Sequence, residues 1–237
     1  MEIRLTHDGS RTLYSETSGQ CYHSVFGAWS ESTCVYLENS GVARRLREGL
    51  PTTVLEIGIG SGMNFLNTAD LALVSQTPLN YFGIDTNYPS GDIIRELGMQ
   101  IQLRNPALES EWVSLLEAPI NFGEPHACHE LVTLTPILGN AENWVTNPTE
   151  VPSSVADAIF LDAFSPEVSP ELWTEEFFVH LFKLLKPEGT LTSYCVKSKI
   201  QKRLKAQGFE VFCCPGPEGG KREVLLAKKA ETQNPVQ

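Results

Sequence analysis

The first 182 residues of this 237-residue chain contain no lysine. They hold seven arginines against 24 aspartates and glutamates, which gives this part a formal charge of −17. A Walker-type phosphate loop uses a lysine to reach the phosphates, so this absence argues against a nucleoside-triphosphate site. The acidic balance also argues against a general affinity for nucleic acid, because lysine and arginine supply most of that binding.

Other features are missing as well. No apolar run approaches the roughly 20 residues that cross a bilayer, and residues 1–5 lack the apolar core of a signal peptide, so we expect a soluble, cytoplasmic protein without a membrane partner. The six cysteines show no C-x-x-C spacing, and neither a disulfide framework nor a metal site is predicted. No repeat with a period of 20–50 residues is present, which excludes solenoids and propellers.

The positive charge is concentrated near the carboxyl end. Residues 183–229 hold eleven lysines and arginines against four glutamates, although the whole chain has a net charge of −11. This stretch is either an ordinary solvated surface or a surface that faces a polyanion.

The order of elements predicts the fold class. From residue 53 onward, apolar segments alternate with helical ones, which is typical of an α/β protein with a mostly parallel sheet covered by helices on both faces. Strands are predicted at 53–57, 80–84, 131–134, 156–161, 190–195, 209–214 and 223–228, and helices at 63–74, 91–98, 107–117, 170–185 and 198–206. Residues 1–50 are predicted to form a hairpin and helical cap, 51–229 the main domain and 230–237 a disordered tail.

A glycine-rich turn follows the first strand of the main domain. Gly58, Gly60 and Gly62 allow a tight turn and a close approach of a ligand to the backbone, although such a turn also occurs without a ligand. The spacing is G-x-G-x-G, which weakens a nicotinamide interpretation. Glu56 and Asp85 end neighbouring strands, where one carboxylate can balance a cationic ligand and the other can accept from ribose hydroxyls. Asp85 would alternatively cap the end of its strand.

This turn, the alternation that follows it and the closing antiparallel pair resemble the class I S-adenosylmethionine-dependent methyltransferase fold. That fold is Rossmann-like, with a mostly parallel seven-stranded sheet and an antiparallel edge strand. The resemblance implies S-adenosyl-L-methionine as cofactor, whose sulfonium and ammonium suit the carboxylates beside the turn. It also implies cofactor contacts for Asn64 in the glycine loop and for Asn140, where many relatives have an acidic residue.

Asp162 ends the most apolar strand of the chain. A carboxylate beside a methyl donor can orient an amine and accept its proton, since an ammonium has no lone pair with which to attack. Asp162 would therefore be catalytic and would also lie at the cofactor, although it could instead cap a helix or pair with a lysine. Phe164 and Trp173 could line a flat pocket for a base, but each could also pack in the core.

Several segments are informative when taken together. They are Tyr22-His-Ser24, residues 27–32, 35–37 and 56–66, Cys128-His-Glu-Leu131, Leu161-Asp-Ala-Phe-Ser-Pro166, residues 169–174 and 185–191, Gly208-Phe209, and Gly220-Lys-Arg-Glu223. Together they resemble the methyltransferase domain of the MnmC-like family, over almost the whole chain. The resemblance implies methyl transfer to the primary amine of 5-aminomethyl(-2-thio)uridine at the tRNA wobble position, giving 5-methylaminomethyl(-2-thio)uridine, with Asp162 at the acceptor. Lys221 and Arg222 would lie near this substrate, and Lys202 and Arg203 belong to the predicted tRNA-facing surface.

Bifunctional members of that family also carry a flavin-dependent oxidase domain that makes the aminomethyl group. The 237 residues are filled by one predicted domain, so we expect a stand-alone transferase that receives aminomethyluridine from an upstream enzyme. Because only residues 183–229 carry excess positive charge, we expect weak and salt-dependent tRNA binding.

Three other functions fit the same residues. An aminopropyltransferase of the spermidine-synthase type shares the glycine loop and the strand-end aspartate. A small-molecule or protein methyltransferase could use the same fold. A catalytically silent cofactor-binding or tRNA-binding module would retain the sequence pattern without the reaction.

Overall fold

The computed structural model describes residues 1–118, 122–147 and 154–230. These residues form two β-sheets, one of three strands and one of eight. The small sheet contains β1 (Glu2–Leu5), β2 (Arg11–Ser15) and β3 (Gln20–Cys21). The large sheet contains β4 (Thr52–Ile57), β5 (Leu79–Asp85), β6 (His126–His129), β7 (Val132–Leu138), β8 (Ala156–Leu161), β9 (Leu185–Ser193), β10 (Phe209–Pro215) and β11 (Glu223–Lys229).

The large sheet has the strand order β10-β11-β9-β8-β4-β5-β7-β6. Strands β9, β8, β4, β5 and β7 run parallel, while β10, β11 and β6 join through antiparallel pairs. The predicted α/β class is therefore confirmed. The sheet has one strand more than expected, because β6 lies in a polar stretch without apolar alternation and pairs with β7 in an irregular register.

The helices are α1 (Ala28–Glu31), α2 (Val42–Arg47), α3 (Met63–Val74), α4 (Gly91–Leu97), α5 (Ala107–Glu117), α6 (Ala141–Val145), α7 (Glu175–Leu184) and α8 (Ser198–Ala206). A π-helix covers Ser32–Glu38, and short 3₁₀ helices cover Met99–Ile101 and Pro170–Trp173. The helix predicted over 170–185 is thus divided at Thr174. Thr174 is extended, and its side chain caps α7 by accepting from the Phe177 N–H, which starts a new helix there. Within the described ranges, no helix has the length and apolar character to span a bilayer.

The core lies on both faces of the large sheet, because neighbouring strand residues point to opposite faces. Val54 packs in one hydrophobic cluster and Leu55 in the other. The cluster around Val54 also contains Tyr36 and Leu46 from the amino-terminal segment, so residues 1–50 share the core of the sheet that they cover. The predicted boundary after residue 50 falls between α2 and β4 and stays a prediction. Of the predicted tail, residues 231–237 lie outside the described residues.

Candidate active site

A cavity of about 610 Å³ opens at the carboxyl edge of the parallel strands. Gly58 follows β4, Asp85 ends β5, Asn140 follows β7 and Asp162 follows β8, and all four line this cavity. This edge is where open α/β sheets bind their ligands. Residues 20–26, which begin in the small sheet, form another part of the wall.

The glycine turn is tightly enclosed. Gly58 and Gly60 have φ values of 89° and 51°, in the region that glycine adopts readily. A Cβ on Gly58 would lie 2.9 Å from the backbone oxygen of Asp162, and one on Gly60 would lie 2.8 Å from the ring of Tyr22. Two strand ends and the amino-terminal segment therefore meet at this turn with no room for side chains.

Gly62 has a different role from the other two glycines. A Cβ there would lie 2.6 Å from Nε1 of Trp112, which donates to the Ser61 carbonyl oxygen at 2.9 Å. Gly62 has a positive φ of 82° directly before α3 and lies away from the cavity wall. It therefore lets the helix start against Trp112, and its predicted cofactor contact stays a prediction.

Asp85 is held by the backbone of the same turn. Its Oδ2 accepts from the Gly60 N–H at 2.9 Å, and its Oδ1 accepts from the Asn87 N–H at 3.2 Å. Burial raises the pKa of Asp85, and these backbone donors oppose the rise. The carboxyl group therefore has a fixed orientation at the cavity wall.

Asn140 lines the cavity at the start of α6. Its Oδ1 accepts from the backbone N–H groups of Glu142 and Asn143 at 2.8 and 3.3 Å. This amide oxygen is thus used to cap the helix, which is a common role for asparagine. The predicted cofactor contact of Asn140 stays a prediction.

Glu56 and Asn64 lie beneath the cavity wall. Glu56 is 0% exposed, and its carboxyl accepts from the Tyr81 hydroxyl at 2.7 Å and from Asn64 Nδ2 at 2.7 Å. The same Nδ2 donates to Oδ2 of Asp162 at 2.8 Å. Burial raises the pKa of Glu56 to about 8. Glu56 therefore contacts Tyr81 and Asn64 and does not line the cavity, and its predicted cofactor contact stays a prediction.

Asp162 presents a carboxyl group with fixed partners on both oxygens. Its Oδ1 accepts from the Tyr36 hydroxyl at 2.6 Å, and its Oδ2 accepts from Asn64. The side chain is 4% exposed. Burial and the neighbouring Glu56 raise the pKa of Asp162 well above its usual range, while the two hydrogen bonds oppose the rise. Such a carboxyl is a stronger base than an ordinary aspartate.

Sequence reasoning missed three residues at this centre, all from the amino-terminal segment. They are Tyr36, on the π-helix, and the buried pair His23 and Glu31, which both line the cavity. The family resemblance of residues 22–24, 27–32 and 35–37 was the available signal. It assigned them no role, because their separation from Asp162 by more than 100 residues along the chain hides that they lie near it in the fold.

The aromatic residues divide between the wall and the layer behind it. Phe164 lines the cavity and packs edge-on against Tyr22, with ring centroids 5.5 Å apart. Trp173 is fully buried, and its Nε1 donates to the Phe164 carbonyl oxygen at 2.9 Å. Trp173 therefore positions Phe164 from behind and does not reach the cavity itself.

Of the four predicted substrate-binding cations, Lys221 alone lines the cavity. Its Nζ lies 3.9 Å from the centroid of the Tyr194 ring. Desolvation lowers the pKa of Lys221, opposed by the charges of Glu31 and Asp162. Lys202 and Arg222 are exposed outside the cavity wall, and Arg203 donates to the Trp173 carbonyl oxygen.

The basic residues of 183–229 do not form one surface. Lys186 pairs with Asp157 at the start of β8, and Lys228 pairs with Glu188 in the first half of β9. Both pairs lie at the amino edge of the parallel strands, opposite the cavity. The strands therefore carry part of this stretch to the edge opposite the cavity, and the predicted tRNA contact of residues 183–229 stays a prediction.

The model of a family described as S-adenosyl-L-methionine-dependent methyltransferase matches residues 106–230, more than half of the chain. The chain belongs to this family. The methyltransferase therefore uses S-adenosyl-L-methionine, and the cavity fits that cofactor. Its turn has no room for side chains, Asp85 is fixed at its wall, and its buried carboxyls suit a cation. No group of three or more histidine, cysteine, aspartate or glutamate residues within the described ranges has the arrangement of a metal site.

Two similar proteins carry related names. The tRNA 5-methylaminomethyl-2-thiouridine biosynthesis bifunctional protein MnmC of Azoarcus sp. is 30% identical to the methyltransferase, over 95% of this chain and 35% of that protein. The crystal structure of MnmC2 from Aquifex aeolicus is 26% identical with a TM-score of 0.77, and covers 100% of this chain and 72% of that chain. The resemblance to the MnmC-like methyltransferase domain is thus confirmed. The chain spans about a third of the length of the curated relatives that it matches.

The spermidine synthase from Thermotoga maritima is more distant. It is 15% identical with a TM-score of 0.52, and covers 97% of the methyltransferase and 72% of that chain. This likeness is one of fold alone, so the aminopropyltransferase alternative is not favoured.

Proposed function

We propose that the methyltransferase transfers a methyl group to the primary amine of 5-aminomethyl(-2-thio)uridine at the tRNA wobble position, giving 5-methylaminomethyl(-2-thio)uridine. The observation that carries the proposal is the nearly buried Asp162 carboxyl, directly beside the glycine turn and open to the same cavity. The names of the MnmC and MnmC2 relatives support the choice of substrate.

The chemistry requires a proton to leave the acceptor. The bound cofactor supplies an electrophilic methyl group on its sulfonium. A primary amine is mostly protonated near neutral pH, and the ammonium has no lone pair to attack with. Asp162, with its raised pKa, is suited to accept that proton. Tyr36 and Asn64 hold the carboxyl in one orientation, so that the amine meets a fixed acceptor.

The surroundings of Asp162 suit a nucleobase. Phe164 and Tyr22 supply aromatic surface in the cavity, on which a base can stack. Lys221 lines the cavity wall. The other cations in the carboxyl-terminal part of the chain are Lys202, Arg203 and Arg222. We propose that these cations bind the tRNA phosphates weakly and with a strong dependence on salt. An upstream enzyme would supply aminomethyluridine, in the cytoplasm.

The test is methylation of tRNA that carries 5-aminomethyluridine at the wobble position. The purified protein is incubated with S-adenosyl-L-methionine, and the wobble nucleoside is analysed by mass spectrometry. We expect one added methyl group with the wild type. Asp162→Asn should lose at least a hundredfold in turnover, as is typical for the loss of a general base, with cofactor binding retained. If 5-aminomethyluridine gains no methyl group during incubation with the wild type, the proposal is refuted.

A further inference from the structure

His23 has a buried ring nitrogen with no protein partner. Its side chain is 5% exposed and lines the cavity, and Nδ1 makes no hydrogen bond within the described part of the chain. The backbone N–H of His23 donates to Oγ1 of Thr12 at 2.9 Å, which anchors the residue to β2. A buried polar atom without a partner is costly, and a ligand that pairs with it would remove that cost.

Two carboxyl groups lie close to this nitrogen. Nδ1 is 3.7 Å from Oδ2 of Asp162 and 4.0 Å from Oε1 of Glu31. Both carboxyl side chains are about 95% buried, and among the ion pairs of the described residues neither has a lysine or arginine partner. Lys221 is the cation whose charge acts on both of them. Buried carboxylates without a close cation are unfavourable, so this end of the cavity favours a cationic ligand.

We propose that Asp162, His23 and Glu31 form the binding subsite for the ammonium group of the acceptor. This inference rests on the proposed function, because it assigns the atoms that would hold that amine. The distances from Nδ1 to the two carboxyl oxygens are too long for direct hydrogen bonds. Each distance suits a ligand nitrogen that lies between Nδ1 and the carboxyl oxygen and donates an N–H to both.

The subsite also accounts for the reaction's proton and electron balance. The ammonium gives one proton to Asp162, and the resulting amine keeps two N–H groups, which donate to His23 Nδ1 and Glu31. The freed lone pair forms the new N–C bond as the S–C bond of the cofactor breaks and its electron pair stays on sulfur. Burial lowers the pKa of His23 to about 4, so the ring is neutral at physiological pH and can accept a hydrogen bond.

Three acceptors select for a primary amine. The methylated product has one N–H fewer, so it leaves one buried acceptor of the subsite unpaired and brings a methyl group against it. A site built to pair every N–H discriminates strongly against a ligand that lacks one. We therefore expect the enzyme to stop after one methyl group.

The experiment compares two variants of His23. His23→Leu removes the acceptor, while His23→Asn keeps an acceptor atom near the position of Nδ1. His180→Leu, on α7 and outside the cavity wall, is the matched control. An anticodon stem-loop RNA with 5-aminomethyluridine is the substrate, and KM, kcat, cofactor Kd and the ratio of monomethyl to dimethyl product are measured.

For His23→Leu we expect a KM for the RNA about tenfold higher or more, as for the loss of a hydrogen bond to a charged group. Dimethyl product should appear, and the cofactor Kd should be unchanged. His23→Asn should restore much of the KM and the single methylation, and His180→Leu should match the wild type. An active His23→Leu with wild-type KM and only monomethyl product would overturn the subsite.

A binding measurement separates this inference from the proposed function. Benzylammonium is titrated calorimetrically into the protein loaded with S-adenosyl-L-homocysteine. Binding to the wild type with loss in His23→Leu and in Glu31→Gln supports the subsite, even if the wild type methylates no wobble nucleoside. Absence of binding to the wild type, or equal binding to all three proteins, would refute it.

Discussion

The hydroxyl of Tyr36 lies 2.6 Å from Oδ1 of Asp162, although 126 residues separate the two in the chain. Tyr36 is on the π-helix of the amino-terminal segment, and Asp162 follows β8. Single π-helical turns are frequent at functional sites. Here the π-helix places the Tyr36 hydroxyl where it donates to the Asp162 carboxyl group. The amino-terminal segment that covers the sheet therefore also supplies a residue of the candidate active site.

We predict that Tyr36→Phe lowers turnover and shifts its pH dependence. The Tyr36 hydrogen bond favours the ionised form of Asp162 and so lowers the pKa of that carboxyl. Without it the pKa rises further, and the carboxyl becomes a base only at higher pH. The rise of kcat with pH should therefore move upward by about one unit. A pH–rate profile checks this. An unshifted profile would contradict the role, and unchanged cofactor binding would exclude general damage.

We predict that Gly60→Ala weakens cofactor binding. The added Cβ would lie 2.8 Å from the Tyr22 ring at a φ of 51°, so the turn or the ring must move. Gly49→Ala is the control, because Gly49 has a φ of 74° but open space around it. Both changes should cost about 1 kcal/mol of stability through backbone strain. Only Gly60→Ala should raise the cofactor Kd, by about tenfold or more, as measured by calorimetry. Equal Kd values for the two variants would contradict the prediction.

We predict that reversing the charge of lysines near the cavity weakens tRNA binding, whereas reversing the charge of a lysine near the opposite edge of the sheet does not. Lys221→Glu combined with Lys202→Glu should raise the KM for tRNA and reduce the slope of its salt dependence by about one for each lost phosphate contact. Lys183→Glu, at the end of α7 near the opposite edge, should change neither. Steady-state kinetics at several salt concentrations are the measurement. An equal effect from Lys183 would mean that net charge, and not a local surface, determines tRNA binding.

We predict that the cofactor-free protein loses stability between pH 6.5 and pH 8, and that Glu56→Gln reduces this loss. Burial raises the pKa of Glu56 from 4.5 to about 8. The folded state therefore binds more protons than the unfolded state in this range, so the free energy of unfolding falls as pH rises through it. His23, with its lowered pKa, acts in the opposite direction but below pH 6.5. Thermal unfolding at both pH values checks this. Equal shifts in Tm for wild type and variant would contradict it.

The local elements were largely predictable from the sequence. The limits of α3, α8 and β8 agree with the predicted ones, because helical periodicity and a fully apolar strand are strong local signals. The strand β6 was missed, since its residues His126–His129 pair at a sheet edge without an apolar pattern. Its pairing depends on β7, and not on its own propensity.

The site was predictable where it lies at strand ends, and unpredictable where distant segments meet. Gly58 and Asp162 follow parallel strands and Asp85 ends one, and the carboxyl ends of parallel strands meet at one edge of the sheet. The positions of Glu56 and Trp173 depend on side-chain packing, which placed them beneath the wall. His23 follows the last strand of the small sheet, and Glu31 ends a four-residue helix. The sequence does not indicate where either of these elements packs on the large sheet. Their position became clear only from the packing of residues 1–50 on the large sheet.

The amide of Asn64 donates to Glu56 and to Asp162 through one nitrogen. It joins the Glu56 carboxyl beneath the cavity wall to the Asp162 carboxyl at the acceptor end, so a change of charge on one alters the hydrogen bond to the other. Occupancy of either half of the cavity is then expected to tune the affinity of the other, and thermodynamics requires that this influence be equal in both directions.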